Sequence, residues 1–364
     1  MKKASKKDMI LLFFAGALLF FGGLSLLFFP APRFSQFENR LLAEKPSFSF
    51  ASLADGSYTA AWESYTAERV AGRRLLRGVH AVCELSLGKC QTGEVLYCRD
   101  GSLTKRLRTN PHSYQKNLTG IKKLIQESEE SGISLTVAIA PRRMDARKNV
   151  LPALFKTAPE SSPYQALSDK LPTATVFDIE GDEAWYRTDH HWTTEGAYAA
   201  YCVLSKELGF TPYNRSDFSK ETVCDAFWGT TDAAAGLLDT PPDKIELWRY
   251  SGDDLLTLTK DGKSAPFHGL YNFEKSKTRD GYAVFLGGND GIVEITQGTE
   301  DPRQTLLLIK DSFANSVIPF LARHYRIIAI DPRYTNADLN PYFTMADQAL
   351  LLMGMQTLAE IALF

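Results

Sequence analysis

The chain has 364 residues, 44% of them hydrophobic, and a formal net charge of -2 at pH 7. That length supplies roughly two domains' worth of chain and ample core. The near-neutral charge, with no Lys/Arg-rich tract interleaved with aromatics in the body of the chain, leaves no electrostatic footprint for nucleic acid.

The basic N-terminus, residues 1–8, carries Lys2, Lys3, Lys6 and Lys7. An uncharged apolar run follows from Met9 to Phe29. About 20 apolar residues suffice to span a bilayer, and lysines ahead of the run favour a cytoplasmic N-terminus. The run ends in bulky Leu26-Leu27-Phe28-Phe29-Pro30 rather than a small-x-small cleavage site. An uncleaved transmembrane signal-anchor over 9–29 is therefore expected, with a cleaved signal peptide as the alternative. Either places the main domain outside the cytoplasm, and the anchor makes this a single-pass protein of the cell membrane. The five cysteines (Cys83, Cys90, Cys98, Cys202 and Cys224) are odd in number. An oxidising exterior permits a bridge such as Cys90–Cys98, but nothing fixes a pairing, and their spacing fits no zinc pattern.

Residues 30–57, rich in Pro, Ser and Phe, read as a linker, with the folded domain over 58–364. Trp62, Tyr65, Val70, Leu75 and Val79 predict helix from Tyr58 to Leu87. Glu94–Tyr97 suits a strand. Asn110–Ser131 is an amphipathic helix with Tyr114, Leu118, Ile121 and Leu124 on one face. Leu135–Pro141 is a short apolar run suited to a buried parallel strand. A helix around Ser162–Lys170, the run Ala174–Asp178 and a helix over Thr194–Leu208 ending at Gly209 follow. Such alternation implies crossover connections and a parallel sheet. An insertion at about 210–280 breaks the rhythm with short strands at Ile245–Tyr250 and Leu255–Thr259. Tyr282–Leu286 reads as a strand entering Gly287-Gly288-Asn289. Strands at Thr305–Ile309, Arg326–Ile330 and Ala349–Met353, a helix at Ala314–His324 and a terminal helix at Met355–Phe364 complete a doubly wound pattern.

Two distant segments carry chemistry: Thr188-Asp189-His190-His191-Trp192-Thr193 and Lys310-Asp311-Ser312-Phe313. A serine is a poor nucleophile until a base takes its proton and a third group orients that base. In an extended segment, residues two apart point the same way, so Asp189 could orient His191, with His190 turned away as an alternative base. Ser312 lies between a strand and a helix, beyond the carboxyl end of a sheet strand, where ligands bind and a backbone N–H can meet an oxyanion. Its bland alternative is a helix N-cap. Asp189, His190 and His191 as a metal site is a further rival, but no other histidine sits in a ligand-spaced pair, and neither metal nor cofactor is expected. Gly288 and Asn289 are oxyanion candidates, or an ordinary turn. Trp192 would wall the site or belong to the core. Arg187 and Asn315 are further substrate-binding candidates.

Taken together, these strings resemble the DHHW protein family, named for Asp189-His190-His191-Trp192. The other landmarks are Glu38-Asn39-Arg40, the segment Asp280–Asn289, Lys310–Asn315 running into Pro319-Phe320-Leu321, and Ile330–Tyr334. That family is similar to the SGNH hydrolase-like alginate O-acetylation proteins, in which an Asp-x-His-Trp string and a downstream Asp-Ser string furnish a triad. The resemblance implies a three-layer α/β/α, flavodoxin-like fold with a mainly parallel sheet and an inserted antiparallel segment. It implies Asp189 as orienting acid, His191 as base and Ser312 as nucleophile. The implied activity is an extracytoplasmic acyltransferase or esterase acting on O-acyl, chiefly O-acetyl, groups of a cell-envelope polysaccharide, beside a membrane-bound O-acyltransferase partner. A non-catalytic SGNH-like scaffold or glycan-binding partner of such an acyltransferase is the competing expectation.

Overall fold

The computed structural model describes residues 5–28, 33–35, 37–38, 40–152, 164, 167–179, 181–298 and 300–364. Lys2, Lys3, Asn39 and the start of the helix expected at Ser162 lie outside them. By contacts the chain forms two compact units. One comprises Met1–Lys89 with Gly236–Asp239; the other comprises Cys90–Ala235 with Thr240–Phe364.

In the first unit a helix covers Lys6–Phe28, with Met9, Ile10, Leu11, Leu12, Phe13 and Phe14 exposed. The side chains at 8, 18, 19 and 26–28 lie outside the described residues. Among the described residues no helix is long and apolar enough to cross a membrane, so the span expected over 9–29 is not supported. The helix expected over Tyr58–Leu87 is two helices, Ser57–Arg69 and Arg73–Ser86. The break falls at Gly72, whose φ of 73° is left-handed backbone that favours glycine.

The second unit is built on an eight-stranded mixed sheet. Its strands, numbered along the chain within this sheet, are β1 (Leu135–Ala140), β2 (Ala174–Val176), β3 (Thr257–Lys260), β4 (Lys263–Ser264), β5 (Ile292–Thr296), β6 (Thr305–Lys310), β7 (Arg326–Ile330) and β8 (Gln348–Gly354). Their spatial order is β4-β3-β5-β7-β6-β8-β1-β2. The five strands from β7 to β2 are mutually parallel. β5, β3 and β4 extend the sheet antiparallel. Part of the inserted region thus joins the main sheet. The rest forms a separate antiparallel ribbon, Ser219–Phe227 with Asp243–Arg249.

Alternate residues of β6 and β8 enter different cores, as the two-residue strand period requires. Leu306, Leu308, Leu350 and Leu352 pack with the helix Thr194–Leu208 on one face. Leu307, Ile309, Leu351 and Met353 pack with the helix Pro111–Glu130 on the other. Burial on both faces explains why these strands are apolar runs without alternation. Each such side chain contributes about 1.5–3 kcal/mol on leaving water. The helix Thr194–Leu208 starts where the Thr193 hydroxyl accepts from the Gly196 N–H and stops at Gly209, φ 72°. Among the described residues all five cysteines are free thiols, so the Cys90–Cys98 bridge is not formed.

Candidate active site

Two short irregular segments converge at the carboxyl end of β6. The first is a loop between Trp185 and Trp192, which pair as an isolated antiparallel bridge. Within it the His191 N–H donates to Asp189 Oδ1 at 3.0 Å. This side-chain-closed turn, not an extended strand, brings the carboxylate and imidazole together. The second segment follows β6 directly. Asp311 caps it, its Oδ1 accepting from the Phe313 N–H at 2.9 Å, and Ser312–Ser316 form a 3-10 turn. The helix expected at Ala314–His324 is only the short piece Ile318–Leu321, with Pro319 in its first turn, where proline is tolerated.

The Ser312 hydroxyl lies 2.8 Å from His191 Nε2, and His191 Nδ1 lies 2.5 Å from Asp189 Oδ1. All three residues are buried, with Ser312 retaining 8% exposure. Asp189 Oδ2 accepts from the Thr230 N–H at 2.7 Å and from the Thr230 hydroxyl at 3.0 Å. Burial alone would raise the Asp189 pKa, but His190, His191 and these hydrogen bonds hold the carboxyl well below the usual range. The close approach needs Gly229, where an added Cβ would lie 2.2 Å from the Asp189 Cβ. Asp243 fixes the loop entry by accepting from the Arg187 and Thr188 N–H groups at 2.9 and 2.8 Å.

The imidazole of His191 stacks face to face on Tyr282, with ring centroids 3.9 Å apart and planes 6° apart. The Tyr282 hydroxyl donates to the Ser312 carbonyl at 3.1 Å and lies 3.0 Å from the Ser316 hydroxyl. Trp192 is fully buried. Its Nε1 donates to the Phe313 carbonyl and the Ser316 hydroxyl, each at 3.0 Å, so it holds the turn that carries Ser312 rather than lining a cleft. His190 is not turned away: its ring sits 3.8 Å from that of His191. Arg187 is directed to the Asp100 carbonyl at 2.8 Å.

Tyr282–Leu286 is not a strand. Gly281–Val284 form a 3-10 turn, and the buried Leu286 takes φ 58° ahead of Gly287 and Gly288. Such a backbone costs of order 1–3 kcal/mol for a residue other than glycine. Asn289 Oδ1 accepts from Asn315 Nδ2 at 3.0 Å, and Asn315 Oδ1 accepts from Lys310 Nζ at 2.7 Å. Both Asn315 and Lys310 are buried. Burial lowers the Lys310 pKa to about 8, against the opposing charge of Asp331. Asn315 therefore braces the loop holding Asn289 instead of facing solvent. Donor atoms of Asp189, His190 and His191 also lie within 4.8 Å of one another, a spacing that would suit a metal ion. Those of Asp189 and His191 are engaged with each other, Thr230 and Ser312, and a metal would have to displace those bonds.

Thr230, Gly229 and Tyr282 were not foreseen as site residues. The first two lie in the inserted region, where no hydrophobic period flags them. Tyr282 stands in a quoted landmark, but nothing in its spacing says that its ring faces an imidazole.

Two family models match the chain. That of the DHHW protein covers residues 178–330, a span holding Asp189, His191 and Ser312. That of the SGNH hydrolase-like domain of acetyltransferase AlgX covers residues 96–243, which holds the first two. Among solved structures, a DHHW family protein from Eubacterium siraeum is 22% identical, with a TM-score of 0.60 over 74% of this chain and 93% of that one. Bacillus cereus PatB1, solved with a sulfonyl adduct, is 19% identical, with a TM-score of 0.59 over 74% of this chain and 97% of that one. The chain shares their fold, and its likeness to the DHHW and SGNH hydrolase-like families stands as the motifs implied. No curated protein matches it.

Proposed function

We propose that the protein is an SGNH-like O-acyltransferase or esterase, acting on O-acyl and chiefly O-acetyl groups of a cell-envelope polysaccharide. The observation that carries this reading is the unbroken series from Ser312 Oγ through His191 to Asp189. The match to an acetyltransferase family model supports the acyl chemistry. In this reading the domain works at the outer face of the cell membrane. A membrane-bound O-acyltransferase supplies acyl groups there.

The carboxylate of Asp189 keeps the His191 proton on Nδ1 and leaves Nε2 free to take the Ser312 proton. Oγ attacks the acyl carbonyl carbon. The developing oxyanion meets the Ser312 N–H at the start of its turn, where backbone donors lack partners within the turn. The Asn289 NH₂ is the second donor, because its carbonyl oxygen is already committed to Asn315. Collapse releases the donor alcohol, which takes its proton from His191. A sugar hydroxyl or water then gives a proton to His191 and attacks the acyl-serine, and Ser312 recovers the proton.

The test is covalent labelling of the full chain with a fluorophosphonate and with phenylmethylsulfonyl fluoride. Both should modify the wild-type protein and neither should modify Ser312→Ala. Labelling that survives the substitution rules out Ser312 as the nucleophile. Absence of labelling and of ester turnover in the wild type favours a non-catalytic scaffold.

A further inference from the structure

The triad as proposed has no use for His190, yet the hydrogen bonds around that ring fix its chemistry. Thr230 Oγ1 lies 3.0 Å from Asp189 Oδ2 and 2.8 Å from His190 Nδ1. An ionised carboxylate only accepts, and a threonine hydroxyl has one proton. That proton is therefore committed to Asp189, so His190 Nδ1 must be the donor to Thr230. The neutral ring then carries its lone pair on Nε2. Burial, aided by His191, lowers its pKa to about 4, which keeps the ring neutral near pH 7. His190 is 31% exposed at the side chain, whereas His191 is 6% exposed. The two rings are 3.8 Å apart. The site thus presents two neighbouring unprotonated Nε2 atoms, one engaged by Ser312 and the other without a hydrogen-bond partner among the described residues.

An attacking hydroxyl spends its only proton on His191. A hydroxyl on the adjacent carbon has its own, and vicinal oxygens lie about one hydrogen-bond length apart. We infer that His190 is an acceptor-binding residue whose Nε2 receives the hydroxyl next to the attacking one, making the site selective for vicinal diols such as sugar rings carry. The inference rests on the acyl-serine reading given under Proposed function.

The experiment acylates the full chain with p-nitrophenyl acetate. Equal amounts of trans-1,2-cyclohexanediol and trans-2-methoxycyclohexanol then compete for the acyl-enzyme. Both attack the same intermediate, so the product ratio cancels any change in the acylation step. The wild type should favour the diol about fivefold beyond its statistical factor of two, the worth of one hydrogen bond. In His190→Asn the amide keeps a donor for Thr230 but lacks an atom at Nε2, and the preference should fall to the statistical value. In His190→Gln an amide reaches the Nε2 position, and part of the preference should return. A wild type without preference, or a His190→Asn ratio equal to the wild type, overturns the inference while leaving the acyl-serine reading intact. A wild-type chain that never becomes acylated overturns that reading, and this inference falls with it.

Discussion

Tyr282 touches both partners of the proposed proton transfer between Ser312 and His191. Its ring face supports the His191 imidazole, and its hydroxyl holds the carbonyl of the residue that bears the Ser312 hydroxyl. Burial raises its pKa well above the usual phenol value, so the hydroxyl stays protonated and donates. Tyr282→Phe keeps the stacked ring and deletes the donor. The Ser312 carbonyl then loses this anchor, and the turn bearing the proposed nucleophile gains freedom at the point where geometry matters most. We expect kcat for p-nitrophenyl acetate hydrolysis to fall about tenfold and unfolding free energy to fall by only about 1 kcal/mol. Unaltered kcat would show that the turn is held by the Trp192 bonds alone.

At the scale of elements, the helix Pro111–Glu130 is fastened to the C-terminal segment through one buried amide. Asn117 Nδ2 donates to the Leu358 carbonyl at 2.8 Å and the Ile361 carbonyl at 2.6 Å, and its Oδ1 accepts from the Leu363 N–H at 2.8 Å. Asn117→Ala leaves those backbone groups unpaired in a site with no exposure. The expected loss is about 2–4 kcal/mol, read as a lower urea midpoint at unchanged m-value. A midpoint within error of the wild type would mean that water replaces the amide. The parallel strands β1 and β6 to β8 were legible in the sequence because burial on both faces makes each an apolar run. The pairing of the two chemical segments was legible as residue types but not as geometry. The turn closed by Asp189 has no period to read. Thr230 reaches it from the ribbon region, about 40 residues away in a stretch of weak patterning. The strand expected at Tyr282–Leu286 failed for a related reason. Its apolar side chains are buried, but the backbone coils through Gly281–Val284 and reverses at Leu286.

Across the larger unit as a whole, two neutral histidines make stability depend on pH. Burial lowers the pKa of His190 and of His324 to about 4, helped by His191 in the first case and by Arg323 in the second. His324 stacks on Phe210 at 4.2 Å and hydrogen-bonds the Tyr201 hydroxyl at 2.7 Å. In the unfolded chain both rings titrate near the ordinary value of about 6.5. Between that pH and 4 the unfolded state binds protons that the folded state refuses, so stability falls as pH falls. The contribution is complete above about pH 6.5 and is lost as pH drops through the folded value of about 4. Asp189, held low, adds to the loss only in more acidic solution, below about pH 4. The melting temperature should therefore decline from pH 6.5 to 5. His324→Asn, at a ring that hydrogen-bonds Tyr201 and not Ser312, should shrink that decline by removing one of the two titrating rings. Scanning calorimetry at pH 7.5 and 5.0 decides it. An equal decline in the variant would assign the acid sensitivity to His190 and the carboxylates, and would remove His324 from the account.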